Sequence, residues 1–262
     1  MGPESNKSWG TGKENLPFSS ITTDLITPVP SVDAVSPTFT DSIVIRLVCS
    51  EPEAKIFFTL DETEPTLNSS LYHRPIVINK TTKVMAFAVA EGQPESFRIE
   101  ATFSQIPKDR RITLKTLYAP QYSGGGEDAL INFIRGGENF STGNWQGYEG
   151  GDIDALIDLG QIQEIRKIFM GSLQDQGSWI FFPVQVEFYL SADGKEFKKA
   201  GVVANDVPDS ADGTMTKEFT LNTGNSKARF IRVVAKNRGT CPVWHPGAGQ
   251  KAWVFADEIV VE

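Results

Sequence analysis

Cysteine and histidine are nearly missing from this chain of 262 residues, which holds two of each. Cys49 and Cys241 stand too far apart to suggest the dense disulfide framework of a small secreted domain. With only His73 and His245 beside them, neither a thiolate–imidazole zinc cage nor a His-Glu metal helix is on offer. Cys49 falls on the apolar face of an alternating pattern and reads as a buried free thiol, so cysteine usage leaves the compartment open. Basic charge is also short: 25 Lys and Arg face 33 Asp and Glu, for a net charge of -8. That balance argues against nucleic acid or an anionic membrane surface as partner, since both demand clustered cations. No apolar run approaches bilayer-spanning length, so membrane insertion is not expected. Met1 to Ser20 lacks the hydrophobic centre of an export signal, which fits a cytosolic protein or a piece of a longer exported one. A phosphate-cradling Gly-Lys-Ser/Thr loop is missing as well. Gly124-Gly125-Gly126 leads into Glu127 and Asp128, whose charge would repel a phosphate, so a flexible turn is the plain reading.

What the chain does have is alternation and aromatics. Apolar residues make up 40% of it, enough for two cores at this length. Residues 1–32 are polar and aperiodic and read as tail or linker, with Trp9 a loose aromatic. From there to 105, Ile43, Ile45, Leu47 and Cys49 share a face, as do Ile56, Phe58 and Leu60, and Val84–Ala90 and Phe97–Phe103 alternate too. Short strands divided by turn clusters at such spacing make a β-sandwich. Asp61 and Glu64 have the look of a catalytic carboxylate pair, but their setting is that of a hairpin turn, and the turn reading is the stronger. Residues 105–110 form a short charged connector, and a second domain follows over 111–262. In it Ala155–Leu159 halts at Gly160, Ile165–Met170 makes a second run, and Val184, Val186, Phe188 and Leu190 alternate with polar residues before an Asp193-Gly194 turn.

The second domain carries Trp145, Trp179, Trp244 and Trp253. Trp253 sits in the apolar run Ala252–Phe255 and reads as core. Trp179 and Trp244 stand in loops beside Gly, Pro, Asp and His. A pyranose presents an apolar C–H face and a rim of hydroxyls, so an aromatic plate beside carboxylate, amide and imidazole groups is what a sugar site requires. Trp179, Trp244, His245, Gln174, Asp175 and Arg135 are the candidates for one. For Trp179 and Trp244 a loop-packing role stands equally open, and Trp145 either packs beneath the loops or joins the site.

Two stretches resemble known families. Ala54–Thr66, with Tyr72, Pro75, Thr81-Thr82 and Ala86, resembles the chitobiase/β-hexosaminidase C-terminal domain, a fibronectin-type-III-like sandwich, although Glu62 and Thr63 stand where that family has Gly and Ser. Trp145-Gln146-Gly147, Ile157-Asp158-Leu159-Gly160, the Ser191–Phe197 turn, Ala228–Val233 and Ala256–Val261 resemble the discoidin-like (coagulation-factor C-type, galactose-binding-like) module. Leu173–Phe181 and Cys241–Gly249 sharpen this towards the C-terminal region of bacterial β-N-acetylhexosaminidases of the chitobiase type. The resemblance implies an all-β chain: a small fibronectin-type-III-like β-sandwich followed by a discoidin-like β-sandwich jelly roll. It implies a non-catalytic carbohydrate-binding and spacer region of a secreted glycan-degrading enzyme, lying periplasmically, on the cell surface or outside the cell. The partners implied are a glycan of galactose or N-acetylhexosamine type and a catalytic domain on the N-terminal side, to whose barrel no stretch here corresponds. The alternatives are an adhesion module, with Phe181-Phe182 as an apolar spike, or a pure scaffold. The resemblance further implies a structural Ca2+ at the first loop, held by the Ala129 carbonyl, Asn132 and Glu258, with Asn132 and Phe133 replacing the family's Asp and Gly.

Overall fold

The computed structural model describes residues 26–262; Trp9 and most of the expected tail lie outside them. The chain is all-β, in agreement with the expected class. Its strands are β1 (Ser31–Asp33), β2 (Thr38–Phe39), β3 (Ile43–Val48), β4 (Lys55–Thr59), β5 (Ser70–Leu71), β6 (Ile76–Ile78), β7 (Thr82–Val89), β8 (Ile99–Gln105), β9 (Arg111–Leu114), β10 (Gln146–Glu149), β11 (Ile153–Gln174), β12 (Gln185–Ser191), β13 (Lys198–Ala204), β14 (Met215–Ala235) and β15 (Trp253–Val261). Contacts group the chain into one unit made of residues up to Asp33, Arg46–Pro75 and Lys83–Ala101, and another made of Ala34–Ile45, Ile76–Thr82 and Thr102–Glu262.

The N-terminal strands form a three-stranded sheet, β1-β3-β6, and a five-stranded one, β2-β8-β7-β4-β5. Alternation does what the pattern implies: Ile43, Ile45 and Leu47 are buried along β3 while Val44 and Val48 face outward. Phe97 does not follow the pattern. It is 72% exposed because β8 begins two residues later, after Ser96 has used its backbone N–H and its hydroxyl on Ala88. Residues 27–32 are structured where a tail was expected: Thr27 is buried, donates to Pro94 O and accepts from Ala90 N–H. Cys49 is half-buried just past β3, its thiol donating to Pro28 O, and both cysteines are free. Asp61 accepts from the Thr63 hydroxyl and N–H, bonds that hold its carboxyl below its ordinary range, and Glu64 pairs with Arg98 at 3.1 Å. The Asp61 contacts hold the turn, as read from the sequence; Glu64 instead makes an ion pair with a residue distant in the chain.

In the larger unit two long strands are bent. Over Ile153–Asp158, β11 lies between β9 and the end of β14; over Ile168–Leu173 it lies between β15 and the start of β14. Register shifts between Asp158 and Lys167 mark the corner, where Gly160 takes φ +82°. The two runs read as separate strands are therefore one. With β12 and β13 on the far side of β14, and β10 beyond β15, one layer runs β9-β11-β14-β12-β13 and the other β10-β15-β11-β14. Ile153, Ile157, Ile168, Val186, Phe188, Phe219, Ile231, Val233, Val254 and Ile259 belong to the core of this β-sandwich. Val184 was expected on that inner face but is 53% exposed, because it precedes the first paired residue of β12. On the outer face Arg232 grips Asp154 and Arg229 grips Asp158, each through two hydrogen bonds between β14 and β11. Partly exposed pairs of this kind add little stability, but they hold strand register.

Candidate functional site

Past β11 the chain closes a tight loop. Asp175 and Ile180 exchange two backbone hydrogen bonds, Ser178 N–H donates to Asp175 O, and Trp179 N–H donates to Gln176 O. To meet all of these, Trp179 adopts φ +64°, ψ +18°, the left-handed region that a bulky L-residue avoids. Its carbonyl then accepts from Trp253 N–H, Ile180 turns inward, and the indole is left 37% exposed. A non-glycine residue held at such a conformation costs of order 1–3 kcal/mol, and such strain gathers at functional sites.

A second loop, residues 241–249, meets the first through His245. Gly247 N–H donates to Nδ1 at 3.0 Å, so the proton sits on Nε2, which donates to Gln176 O at 2.7 Å. The ring is 5% exposed and clasps the two loops together. Trp179 meets it edge-on at 6.4 Å between centroids, and Trp244, 49% exposed, at 5.7 Å. Between the indoles opens a cleft of about 260 Å³, completed by Pro246, Gln176, Gly177 and Asp212. Two roomier hollows, of about 380 and 500 Å³, lie elsewhere and contain no tryptophan. The smaller cleft is the candidate because it combines two partly exposed tryptophans with polar groups.

Trp179, Trp244 and His245 are thus gathered as expected, though both nitrogens of His245 are already engaged and the imidazole shapes the cleft without a free nitrogen for a ligand. The other expected site residues are used differently. Gln174 is fully buried, its amide spent on Pro208 O and Phe182 N–H. Asp175 closes the loop and accepts from the Ser178 hydroxyl at 2.9 Å. Trp145 is 1% exposed beneath the loops, its indole N–H donating to Gly137 O. Arg135 is an ion-pair residue: Nε meets Asp257 at 2.9 Å, Nη1 meets Glu218 at 3.0 Å, and the guanidinium lies over Phe169. Gln176 and Asp212 were missed. Asp212 sits in the polar 205–214 loop, with no aromatic neighbour in sequence to mark it. Phe181 and Phe182 are 1% and 2% exposed, so they form no spike; no helix among the described residues is long and apolar enough to cross a membrane.

At the first loop, Phe133 takes φ +62° and its N–H donates to Glu258 Oε2 at 2.7 Å, while Asn132 Oδ1 accepts from Ile134 N–H. Glu258 Oε1 is buried without a partner, an opening that a cation would satisfy. Among the described residues no three His, Cys, Asp or Glu side chains cluster there. Burial pushes that carboxyl up from 4.5 to about 8. The folded chain therefore keeps a proton that the unfolded chain releases, so this group's contribution to stability falls as pH rises from about 4.5 towards 8. Glu258→Gln should flatten that part of the profile. Urea melts of wild type and variant across this range that keep the same slope would show the carboxyl to be ordinary.

The family described as the chitobiase/beta-hexosaminidase C-terminal domain matches residues 35–100, and the F5/8 type C domain family matches residues 113–254. No curated protein matches the chain. Similar solved structures include CpGH89CBM32-5 from Clostridium perfringens in complex with GalNAc-beta-1,3-galactose, at 22% identity and TM-score 0.38 over 58% of this chain and 94% of that one. The C-terminal domain of a chitobiase from Bacteroides fragilis is similar at 21% identity and TM-score 0.36, over 59% and 93%. A fucose binding module from Streptococcus pneumoniae is similar at 14% and 0.37, over 58% and 89%. With more than half its length matched by that one family, the chain belongs to the F5/8 type C, or discoidin-like, family, and carries a chitobiase/beta-hexosaminidase C-terminal domain ahead of that module.

Proposed function

We propose that the chain is the carbohydrate-binding and spacer region of a secreted glycan-degrading enzyme, a β-N-acetylhexosaminidase whose catalytic domain lies on the N-terminal side. The observation that carries the reading is the cleft between Trp179 and Trp244, two half-exposed indoles held edge-on to a buried histidine. Indole plates suit the C–H face of a galactose or an N-acetylhexosamine; Asp212 and Gln176 face its hydroxyls. The module adds effective concentration at a polymer surface and no chemistry of its own. Its place is periplasmic, on the cell surface or extracellular. An open cleft leaves most hydroxyls in water, so affinity should fall on the order of 0.1–1 mM, or about -4 to -5.5 kcal/mol. A glycan array with a parallel liposome pull-down tests this. Binding to galactose- or hexosamine-containing glycans is expected; a blank array with liposome capture would turn the reading to adhesion, and a blank in both would leave a scaffold.

Calcium is proposed here too, held by Glu258 with the Ala129 carbonyl and with Asn132 turned from its present partner. A cation bound only by the folded state raises stability by mass action. It must also displace the proton on Glu258, so calcium should raise the melting temperature more at pH 8 than at pH 5. Equal melting with calcium and with chelator at both would remove the proposal.

A further inference from the structure

We propose that this cleft selects amino sugars whose amine is free and protonated, and disfavours uronic and other anionic sugars; the inference rests on the glycan reading above. Among the described residues, Asp212 is the only Asp, Glu, Lys or Arg lining the cleft. Its Oδ1 accepts from Gly213 N–H at 3.0 Å and, more loosely, from Gln176 Nε2 at 3.4 Å; no hydrogen bond reaches Oδ2. Among the described residues no Lys, Arg or His forms an ion pair with it, whereas the other two carboxylates of its own 205–214 loop each have one: Arg238 pairs with Asp209 and Lys217 with Asp206. The imidazole in the cleft wall accepts a proton donor at Nδ1 and adds no positive charge. Asp175, bonded to Ser178 behind Gly177, adds a second carboxylate close by. A ligand therefore meets two indoles and a carboxylate with a free oxygen and, among the described residues lining the cleft, no Lys or Arg.

That combination is the one that attracts a cation. An ammonium over an indole face gains from the ring quadrupole, and a carboxylate within reach adds Coulomb attraction. On a wet surface each contribution is modest, and together they predict a preference of roughly three- to tenfold for the charged amine over its neutral acetamide. A uronate carboxylate would meet Asp212 as a like charge and should bind weakest. Salt should erode the preference, because the charges are exposed.

The test is a set of NMR titrations of the whole chain, followed on the tryptophan indole N–H signals, with glucosamine, N-acetylglucosamine and glucuronic acid at pH 6 and matched ionic strength. Glucosamine should bind at least threefold tighter than N-acetylglucosamine, with glucuronic acid weakest. Asp212→Asn should bring the ratio of the first two close to one, with an unchanged melting temperature confirming the fold. Equal affinity for the three, or tighter binding of glucuronic acid, would overturn the charge selection and leave the glycan reading standing. No binding by any of them, alongside a blank glycan array, would overturn both.

Discussion

Arg135→Met should destabilise the discoidin-like module by about 3 kcal/mol at neutral pH without weakening sugar binding. Asp257 is 2% exposed and packs over Gly171, where a Cβ would come within 2.0 Å of its Oδ1. Its Oδ2 accepts from Arg135 Nε and Gly136 N–H, both at 2.9 Å, and Oδ1 is buried without a partner. Burial already pushes this carboxyl above its ordinary range, and Arg135 opposes the shift. Methionine keeps some of the packing on Phe169 but leaves a buried carboxylate without its cation. The folded variant would then hold a proton on Asp257 that the unfolded chain releases. Its deficit should be small near pH 4 and grow as pH rises to 7. A drop of roughly 6–12 °C in melting temperature is the matching readout. A loss under about 0.5 kcal/mol at pH 7, or one that grows in acid, would show the pair to be dispensable. Weakened glycan binding would return Arg135 to the site, where the sequence alone had put it.

Trp179→Ala should cut glycan affinity at least tenfold and leave the module folded. Removing an aromatic plate from a site whose whole binding energy is only a few kcal/mol takes most of it away. The indole is 37% exposed and its main support is Gly247, against whose backbone it lies, so little core packing goes with it. Trp179→Gly separates strain from contact. Glycine adopts φ +64° freely, so the glycine variant should be more stable than the alanine one by up to about 1 kcal/mol while binding equally poorly. Collapse of the fold in Trp179→Ala would make the indole a core residue and move the site elsewhere. Equal stability of the two variants would mean the loop relaxes when the ring is lost.

The strand pattern was legible because alternation reports burial directly: Ile43, Ile45, Leu47 and Val186, Phe188, Leu190 all face inward as read. It misled at element ends, where Val184 and Phe97 continue the period in sequence but fall just outside β12 and β8. The site was half legible. Exposed tryptophan beside turn residues is a local signal, and it found Trp179 and Trp244. Polar partners depend on which loops converge, and nothing local distinguishes Asp212, which faces the cleft, from Asp175, which closes its own loop. Arg135 and Gln174 looked available because a sequence does not show that Asp257 and Pro208 O have already claimed them. Phe181-Phe182 looked like a spike for the same reason, since the turn that buries them is set by the reversal at Trp179.

The bent strand β11 imposes an order of events on the growing polypeptide. It is complete once Gln174 has been added, with only β9 made before it, and its other neighbours arrive much later: Ile153 pairs with Ala235, and Ile168 with Val261. Until residues 215–261 have left the ribosome, the inward faces of Ile153, Ile157, Ile165 and Ile168 have no second layer to cover them. Pairings this distant in sequence fold slowly and stay sticky while they wait. Truncations that remove only β15 should therefore aggregate during synthesis instead of yielding a shortened soluble module.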